Sequence, residues 1–236
     1  MNIFFIQLKK ENFIFRKMVK FRRFLILEKM KKMIFEQIKV GEMENFVYLV
    51  GDEKSREIAV IDAGFEPEKI IAAAKKHGKI TKIFLTHFHY DHSGAAEILA
   101  EKTGAEIFGS GKSAWKRGKN ETRGAWKIPE KVTAIDENSE ISIGEIPGTV
   151  LEIPGHQNDH LGFLFGKYFF SGDTVFVGRI GRTDFADSDP AKMRESLRKI
   201  AKLPDDLILS PGHDYGVVPR RTLGEEKREN EFLKSL

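Results

Sequence analysis

The stretch Thr86-His87-Phe88-His89-Tyr90-Asp91-His92-Ser93-Gly94 puts three of the chain's seven histidines and one carboxylate within six residues. It follows the apolar run Ile80-Thr81-Lys82-Ile83-Phe84-Leu85, which reads as a buried strand. Side chains of an extended chain point alternately to opposite faces, so His87, His89 and Asp91 are expected to point the same way. His92 then stands beside Ser93, where Ser93-Gly94-Ala95-Ala96-Glu97 reads as a helix start. Imidazole and carboxylate gathered at a strand-to-helix corner are the donors a metal site needs.

The chain contains no cysteine. Disulfides, thiolate ligands and a cysteine nucleophile are therefore excluded. A metal must be held by nitrogen and oxygen, which suits zinc, iron or manganese and disfavours copper(I) or an iron–sulfur cluster. A length of 236 residues is enough for one domain with a sizeable core.

The net charge of +4 is unevenly placed. Residues 1 to 32 carry ten Lys or Arg against two Glu, a balance of +8, which leaves −4 on residues 33 to 236. The basic character belongs to an N-terminal extension and not to the body, so no nucleic-acid partner is expected. No apolar run in the extension reaches the roughly 18 residues of a membrane span. Its longest, Phe24 to Leu27, is too short for a signal-peptide core. A cytoplasmic location follows as the expectation. The extension reads in three ways: a basic amphipathic segment touching anionic lipid or a partner, an extra packed element, or a start placed too far upstream. The third is favoured, with Met30 or Met33 opening the working protein, because strand patterning begins only at Ile34.

Strands are predicted over residues 34–40, 45–50 and 57–62, joined by short turns as in antiparallel hairpins. A helix is predicted over 67–78, with Pro67 in its first turn, Gly78 past its end and His77 in its last turn, where charge favours the dipole. After the histidine-rich stretch come a helix from about 94 to 102 and a strand at 105–108. Residues 109–131, with Trp115 and Trp126, form a long Gly- and Lys-rich excursion, either functional or a solvated insert anchored by its tryptophans. Strands resume at 140–143, 149–153, 161–165, 167–171 and 207–210, with helices at 190–202 and 222–233.

Four of these strands deliver a polar group just past their ends: the histidine-rich stretch after one, and His156, Asp173 and His213 after the others. Each of the last three follows a glycine, which lets the backbone turn sharply and approach an ion. His87, His89, Asp91, His92, His156, Asp173 and His213 supply enough donors for two metals sharing a carboxylate, a hydrolytic arrangement.

This pattern resembles the metallo-β-lactamase-fold superfamily over about residues 34 to 233. The carrying motifs are His87-Phe88-His89-Tyr90-Asp91-His92, Pro154-Gly155-His156, Ser171-Gly172-Asp173-Thr174 and Pro211-Gly212-His213. The resemblance implies an α+β, four-layer αβ/βα sandwich with the site at one edge between two sheets. It implies that His87, His89 and His156 bind a first metal, that Asp91, His92 and His213 bind a second, and that Asp173 bridges them. Two divalent ions are the implied cofactors, zinc first, with iron or manganese open. Within the superfamily, Gly172 to Phe185, His213-Asp214-Tyr215 and Thr222 to Asn230 look like the glyoxalase II-like and persulfide dioxygenase group.

The activity implied is hydrolysis of a small thioester or ester by a hydroxide shared between two metals, with Asp91 as ligand or as orienter of the nucleophile. The alternative is a mononuclear iron persulfide dioxygenase using His87, His156 and Asp173. Two departures bear on the substrate. The chain ends at Leu236, without the further helical domain that binds glutathione in typical glyoxalase II enzymes. Gln157 also stands where the group has threonine. Arg182 and Tyr215 match substrate-contact positions; Arg182 reads equally as a salt bridge with Asp184 or Asp187. Asp62 is either a partner of a ligand histidine or a turn residue capping its own backbone. His160 reads as a structural histidine. A homodimer is compatible with all of this.

Overall fold

The computed structural model describes residues 33–113 and 129–236. The basic extension and the tryptophan pair of the long excursion lie outside the described residues.

Alternation along the first strands sorts the core into two layers. β1 (Met33–Val40), β2 (Asn45–Asp52) and β3 (Glu57–Ile61) are antiparallel neighbours. Val47 and Leu49 of β2 turn toward Ile70, Ala74, Ala96 and Leu99 of two helices. Phe46, Tyr48 and Val50 turn the other way, onto Val150, Phe163, Phe165 and Phe170 of a second sheet. The period of two thus buries both faces of one sheet, one under helices and one against another sheet.

The helices are α1 (Pro67–Ala74), which leads into β4 (Lys79–Phe84), and α3 (Ala96–Thr103), which leads into β5 (Glu106–Ser110). β3, β4, β5 and β6 (Thr133–Ile135) run parallel, so the first sheet has the order β1-β2-β3-β4-β5-β6. Between β4 and α3 lies one short turn of helix, α2 (Tyr90–Ser93).

The second sheet contains β7 (Ile141–Ile143), β8 (Ile146–Glu152), β9 (Leu161–Phe165), β10 (Tyr168–Gly172), β13 (Ile208–Pro211) and β14 (Arg221–Thr222). A separate two-stranded ribbon, β11 (Val175–Phe176) and β12 (Arg179–Ile180), follows β10. α4 (Pro190–Ala201) joins β10 to its parallel neighbour β13. Asp189 caps α4 by accepting from the amides of Ala191 and Lys192, and Pro190 occupies its first turn. Met193, Leu197 and Ile200 form its buried stripe. Ser196 Oγ donates to the Pro154 carbonyl and Lys199 Nζ to the Glu152 carbonyl, which fastens α4 over the end of β8. The layers are therefore helix, sheet, sheet, helix, as expected.

Three helical expectations change. α1 closes at Ala74, because the amides of His77 and Gly78 both bond to the Ala74 carbonyl and tighten the last turn. His77 lies beyond the helix and meets Glu36 at 2.6 Å instead of a helix dipole. The C-terminal helix is two, α5 (Leu223–Glu229) and α6 (Glu231–Lys234), broken at Asn230, which caps the second through its side chain. Ser93 does not cap a helix either; its hydroxyl donates back to the His89 carbonyl.

Candidate metal centre

The parallel strands of both sheets end at a common edge. Backbone bonds cross there between the sheets: the Phe46 amide to the Gly212 carbonyl at 2.8 Å, and the Leu161 amide to the Thr86 carbonyl at 2.7 Å. Tyr48 donates its buried hydroxyl to the Pro211 carbonyl at 2.6 Å.

All seven expected donors meet at this edge. His87 Nε2 lies 2.9 Å from His89 Nδ1, and His156 Nε2 lies 3.1 Å from the same atom. His92 Nε2 and His213 Nε2 stand 3.1 Å apart, with Asp91 Oδ2 at 3.4 and 3.3 Å from them. Asp173 lies between the groups: its Oδ1 is 3.2 Å from His92 Nε2, its Oδ2 3.3 Å from His213 Nε2 and 3.6 Å from His156 Nε2. Three sets of donors thereby come close enough to share an ion: His87, His89 and His156; Asp91, His92 and His213; and His87, His92 and Asp173.

These distances suit a metal. Nitrogens held about 2.0–2.1 Å from a tetrahedral ion stand roughly 3.3 Å apart. Asp173 Oδ1 is buried and contacts His92 Nε2, a nitrogen that would itself hold an ion, as suits a carboxylate oxygen facing a cation.

Local backbone explains how the donors arrive. His87 and His89 lie on extended chain, with His89 at φ −60° and ψ 145°. Asp91 and His92 instead lie on α2, so Asp91 reaches the site by a helical turn and not by strand alternation. Gly172 takes φ +48° as the chain leaves β10. Gly212 is required for space, since a Cβ there would stand 2.3 Å from Asp173 Oδ1.

The second nitrogen of each histidine is also engaged. His156 Nδ1 faces the Arg182 carbonyl at 2.9 Å and His213 Nδ1 the Met43 carbonyl at 2.8 Å. His92 Nδ1 meets Asp62 Oδ2 at 3.0 Å, and His87 Nδ1 meets Thr86 Oγ1, which itself donates to Asp62 Oδ2 at 2.8 Å. Asp62 thus holds two histidines and is not a self-capping turn residue. Its left-handed backbone, φ 59°, is one that aspartate tolerates better than most residues. The amide of Gln157 meets His89 Nε2 at 2.6 Å. Turned with its carbonyl inward, it leaves the His89 Nδ1 lone pair free for a cation. Such partners set tautomer and ring orientation.

His160 is buried, with both ring nitrogens engaged within the protein. Its Nε2 accepts from the Asp173 amide at 3.0 Å, so its proton is on Nδ1, beside Thr174 Oγ1 at 3.3 Å. Burial holds it neutral.

Electrostatics divide the donors. Burial, with the charge of His92, pushes His87 well below the usual histidine range, and burial takes His89 down to about 4. Burial also lowers His156. Burial acts against the charge on His92 and His213 too, but Asp173 and Asp91 outweigh it. They raise His92 well above its ordinary value and His213 to about 9. Burial opposes the charge on Asp91 and Asp173 as well; the neighbouring His92 and His213 overcome it and hold both far down.

The two expected substrate residues are placed differently. Arg182 is 68% exposed at its side chain and pairs with Asp184 through two bonds of 2.9 and 2.8 Å. It lies over the Phe185 ring. Tyr215 stacks flat on the His213 imidazole, with centroids 4.5 Å apart. Two residues were not anticipated. Asn45 Nδ2 donates to both the carbonyl and Oδ2 of Asp91 at 3.0 Å. Phe185 sets its ring edge-on to His89 and His156. The signal for Asn45, a lone polar residue opening an otherwise apolar strand, was available in the sequence.

Residues 40–213 match the family model described as the Metallo-beta-lactamase superfamily. The chain is 34% identical over 192 residues to a hydroxyacylglutathione hydrolase of Cereibacter sphaeroides, covering 80% of this chain and 70% of that protein. It is 34% identical over 215 residues to hydroxyacylglutathione hydrolase GloC of Haemophilus influenzae, covering 86% and 99%. Of two other relatives of that name it spans 63% of the length. Among solved structures it is similar to ETHE1 from Myxococcus xanthus, with TM-score 0.70, 30% identity and coverage of 84% and 83%. It is also similar to TTHA1623 in a di-iron-bound form, with TM-score 0.67, 30% identity and coverage of 84% and 100%. Among the described residues no helix is long and apolar enough to cross a membrane.

Proposed function

Since the chain belongs to the metallo-beta-lactamase superfamily and is similar to its hydroxyacylglutathione hydrolases, we propose that it is a metal-dependent hydrolase of a small thioester or ester, working with two ions. The observation that carries this reading is the doubled donor set. Two triplets lie side by side with Asp173 within 3.6 Å of both, which is more than one ion requires. The di-iron form of a relative 30% identical over its whole length supports two ions here.

His87, His89 and His156 hold one ion in this reading, and Asp91, His92 and His213 the other, with Asp173 shared. Zinc is the first candidate, with iron and manganese open, because the donors are all nitrogen and oxygen. Two such ions supply a nucleophilic water at neutral pH and a Lewis acid for the substrate carbonyl. The protein's own part is to keep the donors in register. Asp62 orients His92 directly and His87 through Thr86. Asn45 fixes the Asp91 carboxylate, so Asp91 serves as ligand and turns one oxygen to a fixed direction. Tyr215 and Phe185 lay their rings against His213 and His89 and so help fix those two imidazoles.

The likeness to ETHE1 fits a second reading, a mononuclear iron dioxygenase of persulfides on His87, His156 and Asp173. Metal analysis of purified protein, paired with assays of thioester hydrolysis and of oxygen uptake on persulfide, separates the two. About two metals per chain with hydrolysis is the expected result. One iron per chain with oxygen uptake would replace the first reading by the second.

A further inference from the structure

The stretch Thr222-Leu223-Gly224-Glu225-Glu226-Lys227-Arg228-Glu229-Asn230 has no part in the chemistry above, yet Glu226 and Asn230 within it are wholly buried polar side chains. A buried carboxylate is costly unless its oxygens are engaged. Glu226 Oε1 accepts from the Gly178 amide at 2.7 Å and from Asn230 Nδ2 at 2.5 Å, and its Oε2 accepts from Arg221 Nε at 2.5 Å. Asn230 Nδ2 also donates to the Arg179 carbonyl at 3.0 Å. Arg221 is held from its other side by Glu229.

Gly178 lies in the turn at the tip of the ribbon β11–β12, and Arg179 opens β12 just after it. That ribbon pairs only Val175 with Ile180 and Phe176 with Arg179. A hairpin so short has no stability of its own. Its base sits on the metal centre: the Gly181 amide bonds to the Thr174 carbonyl at 3.3 Å, and a Cβ on Gly181 would stand 1.8 Å from the Asp173 carbonyl. One residue on, the Arg182 carbonyl takes His156 Nδ1, and Phe185 then lies on His156 and His89. The ribbon therefore leads into the acceptor that orients one donor histidine; its Phe176 ring packs on His213 and Tyr215, and its tip is tied to the C-terminal helix.

We propose that Glu226, assisted by Asn230 and Arg221, is a positioning residue that holds this ribbon by its tip and so keeps the Arg182 carbonyl and Phe185 against His156. The inference rests on the metal-centre reading of His156 and on no particular substrate. Charge-assisted bonds inside a dry site are among the stronger ones, and outer partners of a ligand histidine affect metal affinity.

Glu226→Gln preserves the side chain's shape but turns an amide donor toward either Gly178 or Arg221. In the folded variant the Gly181 amide should exchange with solvent about tenfold faster than in the wild type. Zinc affinity, read by competition with a chromophoric chelator, should fall about tenfold. Should Glu226→Gln fail to fold, Asn230→Ser retains a helix-capping hydroxyl while losing the reach to Arg179, and the same two readouts apply. A merely structural Glu226 would speed exchange in α5 and α6 only. Wild-type exchange at Gly181 together with wild-type zinc affinity in a folded variant would overturn the proposal. If wild-type protein takes up none of zinc, iron and manganese, the metal reading fails separately, and the exchange at Gly181 alone decides the clamp.

Discussion

His89 and His213 lie in the same buried centre, yet the first is pushed down to about 4 and the second up to about 9. Burial disfavours the cation at both. Only the second has carboxylates in contact, Asp91 Oδ2 and Asp173 Oδ2, each 3.3 Å away. His87 and His156 follow His89, and His92 follows His213. At neutral pH the metal-free centre thus pairs three neutral imidazoles, ready to donate lone pairs, with a charged cluster whose protons an incoming ion must displace. Placement of carboxylates, not depth of burial, sets the difference.

The sharpest way to break this two-part picture is to remove what the parts share. Asp173→Ala should lower turnover on the order of a thousandfold. Metal analysis of the same variant should show fewer ions per chain than in the wild type. A variant keeping wild-type turnover would mean that the two clusters do not act as one centre.

Titration tests the charge contrast directly. Zinc loading of metal-free protein at pH 7 should release on the order of two protons, those of His92 and His213. Calorimetry in buffers of different ionisation enthalpy reads that number. The sign for stability follows from the raised value of His213. Its contribution to the metal-free fold is complete below about 6.5 and is lost as pH rises through about 9. Thermal melts of metal-free protein across that range should show the decline, and its absence would remove the charged state assigned to this cluster.

Asp62→Asn is expected to weaken metal affinity about 10- to 100-fold, because His92 loses a charged acceptor and the Thr86 link to His87 is disturbed. Chelator competition measures it. The smallest effect belongs to the rim. Arg182→Ala removes an exposed pair with Asp184, so stability should change by less than about 1 kcal/mol in a thermal melt. A tenfold or larger rise in KM in that variant would instead show that the guanidinium leaves Asp184 to meet substrate.

Much of the centre was legible beforehand because it is written locally. His156, Asp173 and His213 each follow a glycine at the end of a strand, and strand ends are where a layered sandwich opens. Asp91 stands beside the other donors, but α2 and not strand alternation delivers it. Asn45 was missed because its target, Asp91, lies 46 residues away. Glu226 sits inside the Thr222 to Asn230 motif, and the sequence there does not reveal that its oxygens face Gly178 and Arg221. The helix ends at Ala74 and Asn230 were likewise set by hydrogen bonds that periodicity does not encode.

By itself the amino-acid order determined the donor types, the exclusion of thiolate chemistry and the sequence of strands and helices. Composition, glycine placement and apolar period are properties of short segments, and they act before the chain is compact. Only the tertiary structure decided which donors share a site, which histidines carry charge, and that Arg182 faces Asp184. Those depend on distances of about 3 Å between residues far apart in the chain, which arise when the two sheets close on each other.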